Sequence, residues 1–117
     1  MPSLPQRLGT AGEDIAATFL IGKGYEILDR HVSTRGGEID IVARDGNELV
    51  FVEVKMRRSD TFGGPEEAVT DQKLDRIQSA IDAYLSRFPG GTVYRFDCVF
   101  ISRIRGHQEI THVESCG

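Results

Sequence analysis

Gly37-Glu38-Ile39-Asp40-Ile41-Val42-Ala43-Arg44-Asp45-Gly46-Asn47-Glu48-Leu49-Val50-Phe51-Val52-Glu53-Val54-Lys55 is the stretch from which the fold can be read. Two apolar runs rich in β-branched residues flank the turn-forming Asp45-Gly46-Asn47, so the segment predicts paired antiparallel strands. Leu49 to Val52 are apolar at every position, as in a strand covered on both faces. The run then changes. Glu53 and Lys55 fall on one face of the second strand, and Asp40 stands between Ile39 and Ile41 on the first. Buried charges are costly unless they are paired or coordinate a metal. Two readings are open: a salt bridge from Lys55 to Glu53 or Asp40, or a metal site in which carboxylates hold a hard cation beside a lysine.

Working outward, residues from about Gln6 to Lys23 predict a helix. Leu8, Ile15, Ala16, Phe19 and Leu20 lie on one face, Gly22 and Gly24 supply the stop, and Gly12 would allow close approach of another backbone. Glu13 borders that stripe and, for the helix alone, reads as an exposed glutamate. Tyr25–Leu28 predicts a short strand, and Asp29–Gly37 a polar loop that could sit beside a ligand. On the other side of the hairpin, Arg57 to Pro65 predicts a glycine-containing loop, and Pro65-Glu66-Glu67 a helix start. A long helix from about Asp71 to Arg87 buries Leu74, Ile77, Ile81, Tyr84, Leu85 and Phe88. Val93–Ile101 is the last strong strand, with Asp97 expected to pair with Arg95 or to cap a loop. Ile110–Val113 is at most a short edge strand, and His107 and His112 read as surface histidines. The order α-β-β-β-α-β(-β) predicts a mixed sheet flanked by helices, in the α/β or α+β class.

The 117 residues suffice for one domain, and 39% hydrophobic with 27% charged residues is ordinary for a globular chain. No apolar run is long enough to span a bilayer, and the first residues lack signal-peptide features, so no membrane partner is expected. Two cysteines, Cys98 and Cys116, form no C-x-x-C pair and suit a reducing cytoplasm. A formal net charge of −4 argues against tight non-specific DNA binding, although carboxylates gathered at a metal would be neutralised by it. Basic residues cluster beside the hairpin: Arg30, His31 and Arg35 before it, Lys55, Arg57 and Arg58 at its end.

This order, with Gly12-Glu13-Asp14-Ile15-Ala16, Gly37-Glu38-Ile39-Asp40, Phe51-Val52-Glu53-Val54-Lys55, Gln72-Lys73-Leu74 and Arg95-Phe96-Asp97, resembles the PD-(D/E)XK nuclease superfamily and its restriction-endonuclease-like fold. Within that superfamily the chain is similar to the YraN family of bacterial proteins, themselves similar to Holliday-junction resolvases. The resemblance covers nearly the whole chain and implies a single nuclease-like domain over residues 1–117. It implies that Asp40 and Glu53 ligate a catalytic Mg²⁺ or Mn²⁺, with Glu13 and the backbone carbonyl of Val54 as further ligands. Lys55 would orient the attacking water or stabilise charge on the phosphate. Gln72 or Lys73 would contact the scissile strand, and Arg35, Arg57 and Arg58 would contact flanking phosphates. Ile39 stands where the nominal motif has proline. The implied activity is metal-dependent endonucleolytic hydrolysis of DNA, including branched or repair intermediates, by a homodimer. The alternative is a non-catalytic nucleic-acid-binding or adaptor module on the same fold.

Overall fold

A computed structural model of the chain describes residues 4–57 and 70–116, without the side chains of residues 4–10 and 57. Its elements are α1 (Leu4–Gly22), β1 (Glu26–Ser33), β2 (Glu38–Asp45), β3 (Glu48–Arg57), α2 (Asp71–Leu85), β4 (Tyr94–Ile104) and β5 (His107–Val113). The strands form one five-stranded sheet in the order β1-β2-β3-β4-β5. Only the β3–β4 pair is parallel. A parallel pair needs a crossover, and α2 lies in the connection between these two strands. The loop from Arg58 and the helix start at Pro65 lie outside the described residues.

The predicted hairpin closes on a two-residue turn, with Asp45 opposite Glu48 and Gly46 at φ 65°. β3 is central, and Leu49 to Val52 are all buried. Alternation then sorts the core into two halves. Val50 and Val52 pack with Ile41, Ala43, Val99 and Ile101 against Ala16, Ala17 and Leu20 of α1. Leu49 and Phe51 pack with Val42 against Ile77, Ala80, Ile81 and Tyr84 of α2. Each fully buried aliphatic or aromatic side chain contributes about 1.5–3 kcal/mol, so the two helix–sheet interfaces dominate the stability.

Several boundaries differ from expectation. β1 continues through Ser33, so most of the expected polar loop is strand and only residues 34–37 connect it to β2. Pairing with β2 extends it: Arg30 stands opposite Ile41 and Val32 opposite Ile39. A register shift between Ile27 and Asp29 bulges the strand at Leu28. β5 spans seven residues rather than four, because Arg105 and Gly106 both adopt positive φ and close a hairpin with β4. Gly12 meets side chains rather than a backbone: a Cβ there would lie 3.3 Å from Met56 Cβ.

His112 is not a surface histidine. Its side chain is 3% exposed, because β5 pairing lays it over β4, where Nε2 lies 2.8 Å from Asp97 Oδ2. Asp97 does pair with Arg95, as expected, at 3.0 Å. The same guanidinium reaches Glu48 at 2.8 Å, Asp45 at 3.2 Å and Glu114 at 3.0 Å. One largely buried arginine thus ties the hairpin turn, β4 and the C-terminal segment together. His107 is exposed, as expected.

Candidate metal and phosphate site

The hairpin ladder runs from Asp45–Glu48 to Ile41–Val52, and beyond it the next pair would be Asp40 and Glu53. There Asp40 accepts the Val54 N–H at 2.8 Å through Oδ2, bridging the two strands with its side chain. Alternation puts Asp40 on the face of Val42, and Glu53 and Lys55 on the face of Phe51, which is the α2 side. The carboxylates therefore meet beside the N-terminal turn of α2. Thr70 caps that turn, its hydroxyl accepting the Lys73 N–H at 3.1 Å, and this cap sets where Gln72 and Lys73 emerge.

A cleft of about 520 Å³ opens here, lined by Gly37, Glu38, Asp40, Glu53, Thr70, Gln72, Lys73, Arg76 and Ile77. Glu53 is 8% exposed. Its Oε1 lies 2.8 Å from Lys73 Nζ and 4.0 Å from Lys55 Nζ. Lys73 thus holds Glu53 more closely than the expected partner Lys55 does, from the wall of the same cleft. Burial and the neighbouring Glu53 charge push the Asp40 carboxyl up to about 7, against the lowering effect of the Val54 N–H. Burial and the Lys73 ammonium lower Lys55; Lys73 is raised by its bonds to Glu53 and Lys55 in spite of burial. Two crowded carboxylates and two adjoining lysines are the electrostatic content of the site.

The structure does not bring all the expected residues together. Glu13 belongs to the helix on the other face of the sheet, and its mostly buried carboxylate lies 3.6 Å from His31 Nδ1 and 3.9 Å from Arg30 Nη2. It still raises Asp40, so the two charges sense each other. His31 reaches it from a left-handed backbone conformation, φ 53°, that few non-glycine residues adopt. Arg30 chiefly binds Asp14, at 2.6 Å. Arg35 is exposed outside the cleft lining. The Arg57 side chain and Arg58 lie outside the described residues. Among the described residues no three His, Cys, Asp or Glu side chains converge as a metal cluster. The acidic donors that the cleft offers are Asp40 and Glu53, open on one side. That suits Mg²⁺, a hard cation that takes one or two carboxylates and keeps several waters.

Sequence reasoning missed Glu38, Thr70 and Arg76 in the cleft wall. For Arg76 a signal existed, since it follows Gln72 and Lys73 by four and three residues and shares their helix face. The loop expected to sit beside a ligand packs on α2 and places Gly37 in the cleft wall. A Cβ on Gly37 would lie 2.5 Å from the Arg76 carbonyl oxygen, and one on Gly36 would overlap Ser79. The two glycines let the loop lie against α2 and close one side of the cleft. Cys98 stands opposite Glu53 on β4, and its thiol is hydrogen-bonded to that of Cys116, with no disulfide between them.

Residues 12–101 match the model of the family described as "Uncharacterised protein family UPF0102". A UPF0102 protein of Syntrophomonas wolfei is 44% identical over 109 residues, covering 92% of this chain and 95% of that one. One from Phocaeicola vulgatus is 43% identical, covering 91% and 88%. A third, from Geobacter sulfurreducens, is 54% identical over 80 residues, covering 68% and 62%. The chain belongs to the UPF0102 (YraN) family.

Proposed function

We propose that this member of the UPF0102 family is a divalent-cation-dependent endonuclease that hydrolyses phosphodiester bonds in DNA, branched or repair intermediates included. The observation that carries this reading is the convergence of Asp40 and Glu53 where β2 and β3 part, facing an open cleft with Lys55, Lys73 and Arg76 around them. A pair of carboxylates in which burial, and then repulsion from Glu53, raises Asp40 to about 7 is a site prepared for a cation. When bound, Mg²⁺ or Mn²⁺ would supply Lewis-acid stabilisation of phosphate charge and a more acidic water. Asp40 and Glu53 would hold the cation, with the Val54 carbonyl adjoining. Glu13 adds negative potential from the neighbouring helix. Lys55, close to Glu53 and lowered by burial, would align the water or stabilise charge developing on the phosphate oxygens. Gln72, Lys73 and Arg76 would bind the scissile and adjacent phosphates, and Arg35, Arg57 and Arg58 would position flanking ones without reading sequence. A homodimer would bring two such sites to two strands.

The test is Mg²⁺- and Mn²⁺-dependent cleavage of labelled linear, flap and four-way-junction DNA, with Asp40→Asn and Lys55→Ala beside the wild type. Cutting by wild type and loss in both folded variants is expected; equal behaviour of all three rejects the assignment. One observation favours a second reading, a non-catalytic nucleic-acid-binding module. The Lys73 ammonium at 2.8 Å already balances Glu53 without a metal. That reading predicts DNA binding by all three proteins, without cutting, at equal strength with and without divalent ions.

A further inference from the structure

The chain has three lysines, and Lys55 and Lys73 both face Glu53. Lys23 is elsewhere, at the C-terminal end of α1. Gly24, at φ 95°, reverses the chain there, and Tyr25 N–H returns to the Leu20 carbonyl at 3.0 Å, so the turn carrying Lys23 is held to the helix. The Lys23 Nζ lies 2.8 Å from His112 Nδ1 and 5.2 Å from the centre of the Phe19 ring. His112 is buried, packed edge-on against Phe19 and Tyr25. On its far side Nε2 meets Asp97 Oδ2 at 2.8 Å.

The protonation of this line follows from its partners. Asp97 is fully buried and accepts from Arg95 Nε at 3.0 Å and from Ser115 N–H at 3.0 Å through Oδ1. A carboxylate so held is an acceptor, so His112 carries its proton on Nε2 and presents the Nδ1 lone pair to the amine. Asp97 orients His112, and His112 is a base in contact with a solvent-exposed lysine. In nucleophilic catalysis this geometry, a nucleophile against a base that a carboxylate orients, is what activates the attacking atom.

From it we infer that Lys23 is a site of covalent acylation by activated acyl groups, acyl phosphates or acyl thioesters, with Asp97 and His112 as the activating pair. The exposed ammonium gives one proton to solvent, and His112 Nδ1 takes the second as the C–N bond forms and returns it to the leaving group. The free amine attacks the acyl carbonyl carbon and forms a C–N bond. The C–O bond to phosphate, or the C–S bond to the thiol, then breaks. Its electron pair and the second amine proton leave with the phosphate or thiol. Nothing is oxidised or reduced. The product is a neutral amide that no longer places a cation over Phe19. The inference is independent of the nuclease reading, since none of these residues lines the cleft.

The folded chain and a synthetic peptide of residues 18–28 are incubated in parallel with acetyl phosphate and with acetyl-coenzyme A. Lys23 acetylation is followed over time by peptide mass spectrometry. General-base assistance predicts that Lys23 in the folded chain reacts at least about tenfold faster than in the peptide with one or both donors. His112→Gln, checked for folding by circular dichroism, is expected to fall to the peptide rate. Equal or slower reaction of the folded chain with both donors overturns the inference, as does a folded His112→Gln that reacts like the wild type. If that variant does not fold, the comparison of chain with peptide decides alone.

Discussion

At the scale of the residue, Asp40 and Lys73 define what is testable about the cleft. The Asp40 carboxyl, raised to about 7 from an ordinary value near 4, binds its proton more tightly in the folded chain than in the unfolded one. Its burial therefore costs nothing at low pH. The penalty grows as pH rises from about 4 through 7 and is complete above. Asp40→Asn keeps an oxygen for the Val54 N–H and removes the charge. It is expected to stabilise the metal-free protein by about 2 kcal/mol at pH 8, and by clearly less at pH 5. Urea unfolding with a chelator at both pH values checks this, and a pH-independent difference would contradict it. Lys73 competes with any cation for Glu53. Lys73→Met is expected to tighten Mn²⁺ binding about tenfold in isothermal titration, a change of about 1.4 kcal/mol. Weaker binding would mean that Lys73 supports the metal site instead of substituting for it. Asp40, Glu53 and Lys55 were legible in the sequence because each breaks an apolar strand. The contact of Lys73 with Glu53 was not, because it depends on where α2 sits over β3.

At the scale of the element, the loop between β1 and β2 and the first turn of α2 form the two sides of the cleft. A Cβ on Gly37 would meet the Arg76 carbonyl oxygen at 2.5 Å, a backbone atom that a rotamer change cannot move away. Gly37→Ala is therefore expected to destabilise the fold by about 2–3 kcal/mol through forced separation of loop and helix. A urea midpoint within experimental error of wild type would refute that packing argument. Thr70→Ala removes the cap whose hydroxyl accepts the Lys73 N–H, with an expected loss of about 1 kcal/mol. Fraying of that turn should also loosen Lys73 from Glu53, so hydrogen exchange at Lys73 and Leu74 should rise. If only distant amides respond, the cap does not govern the site. The elements themselves were readable from periodicity, but not their lengths. β1 and β5 carry polar residues on exposed edges and lack the apolar alternation that marks β2, β3 and β4. Partner strands, not their own composition, hold them extended.

At the scale of the whole molecule, a net charge of −4 must be reconciled with the proposed polyanionic substrate. The basic groups near the cleft are few, so phosphate contacts should be few as well. Binding of four-way-junction DNA is expected to weaken with salt at a log–log slope of about −2 to −4, near −0.9 per phosphate neutralised. A slope near zero would remove both the nuclease and the binding-module readings. No helix among the described residues is long and apolar enough to cross a membrane. Local sequence sufficed for the hairpin, its turn, the two helix stripes and the three ionisable residues that interrupt the strands. These depend on local periodicity and turn chemistry, which act within a few residues. Which distant groups meet emerges only in the folded chain: Lys73 with Glu53, Glu13 with His31, Gly37 with the α2 backbone, and Lys23 with His112 over a buried Asp97. Such contacts follow from strand register and helix placement. A one-residue shift in register would turn Glu53, His31, His112 and Asp97 to the other face of the sheet, and the amino-acid order near any of these groups carries no record of its partner.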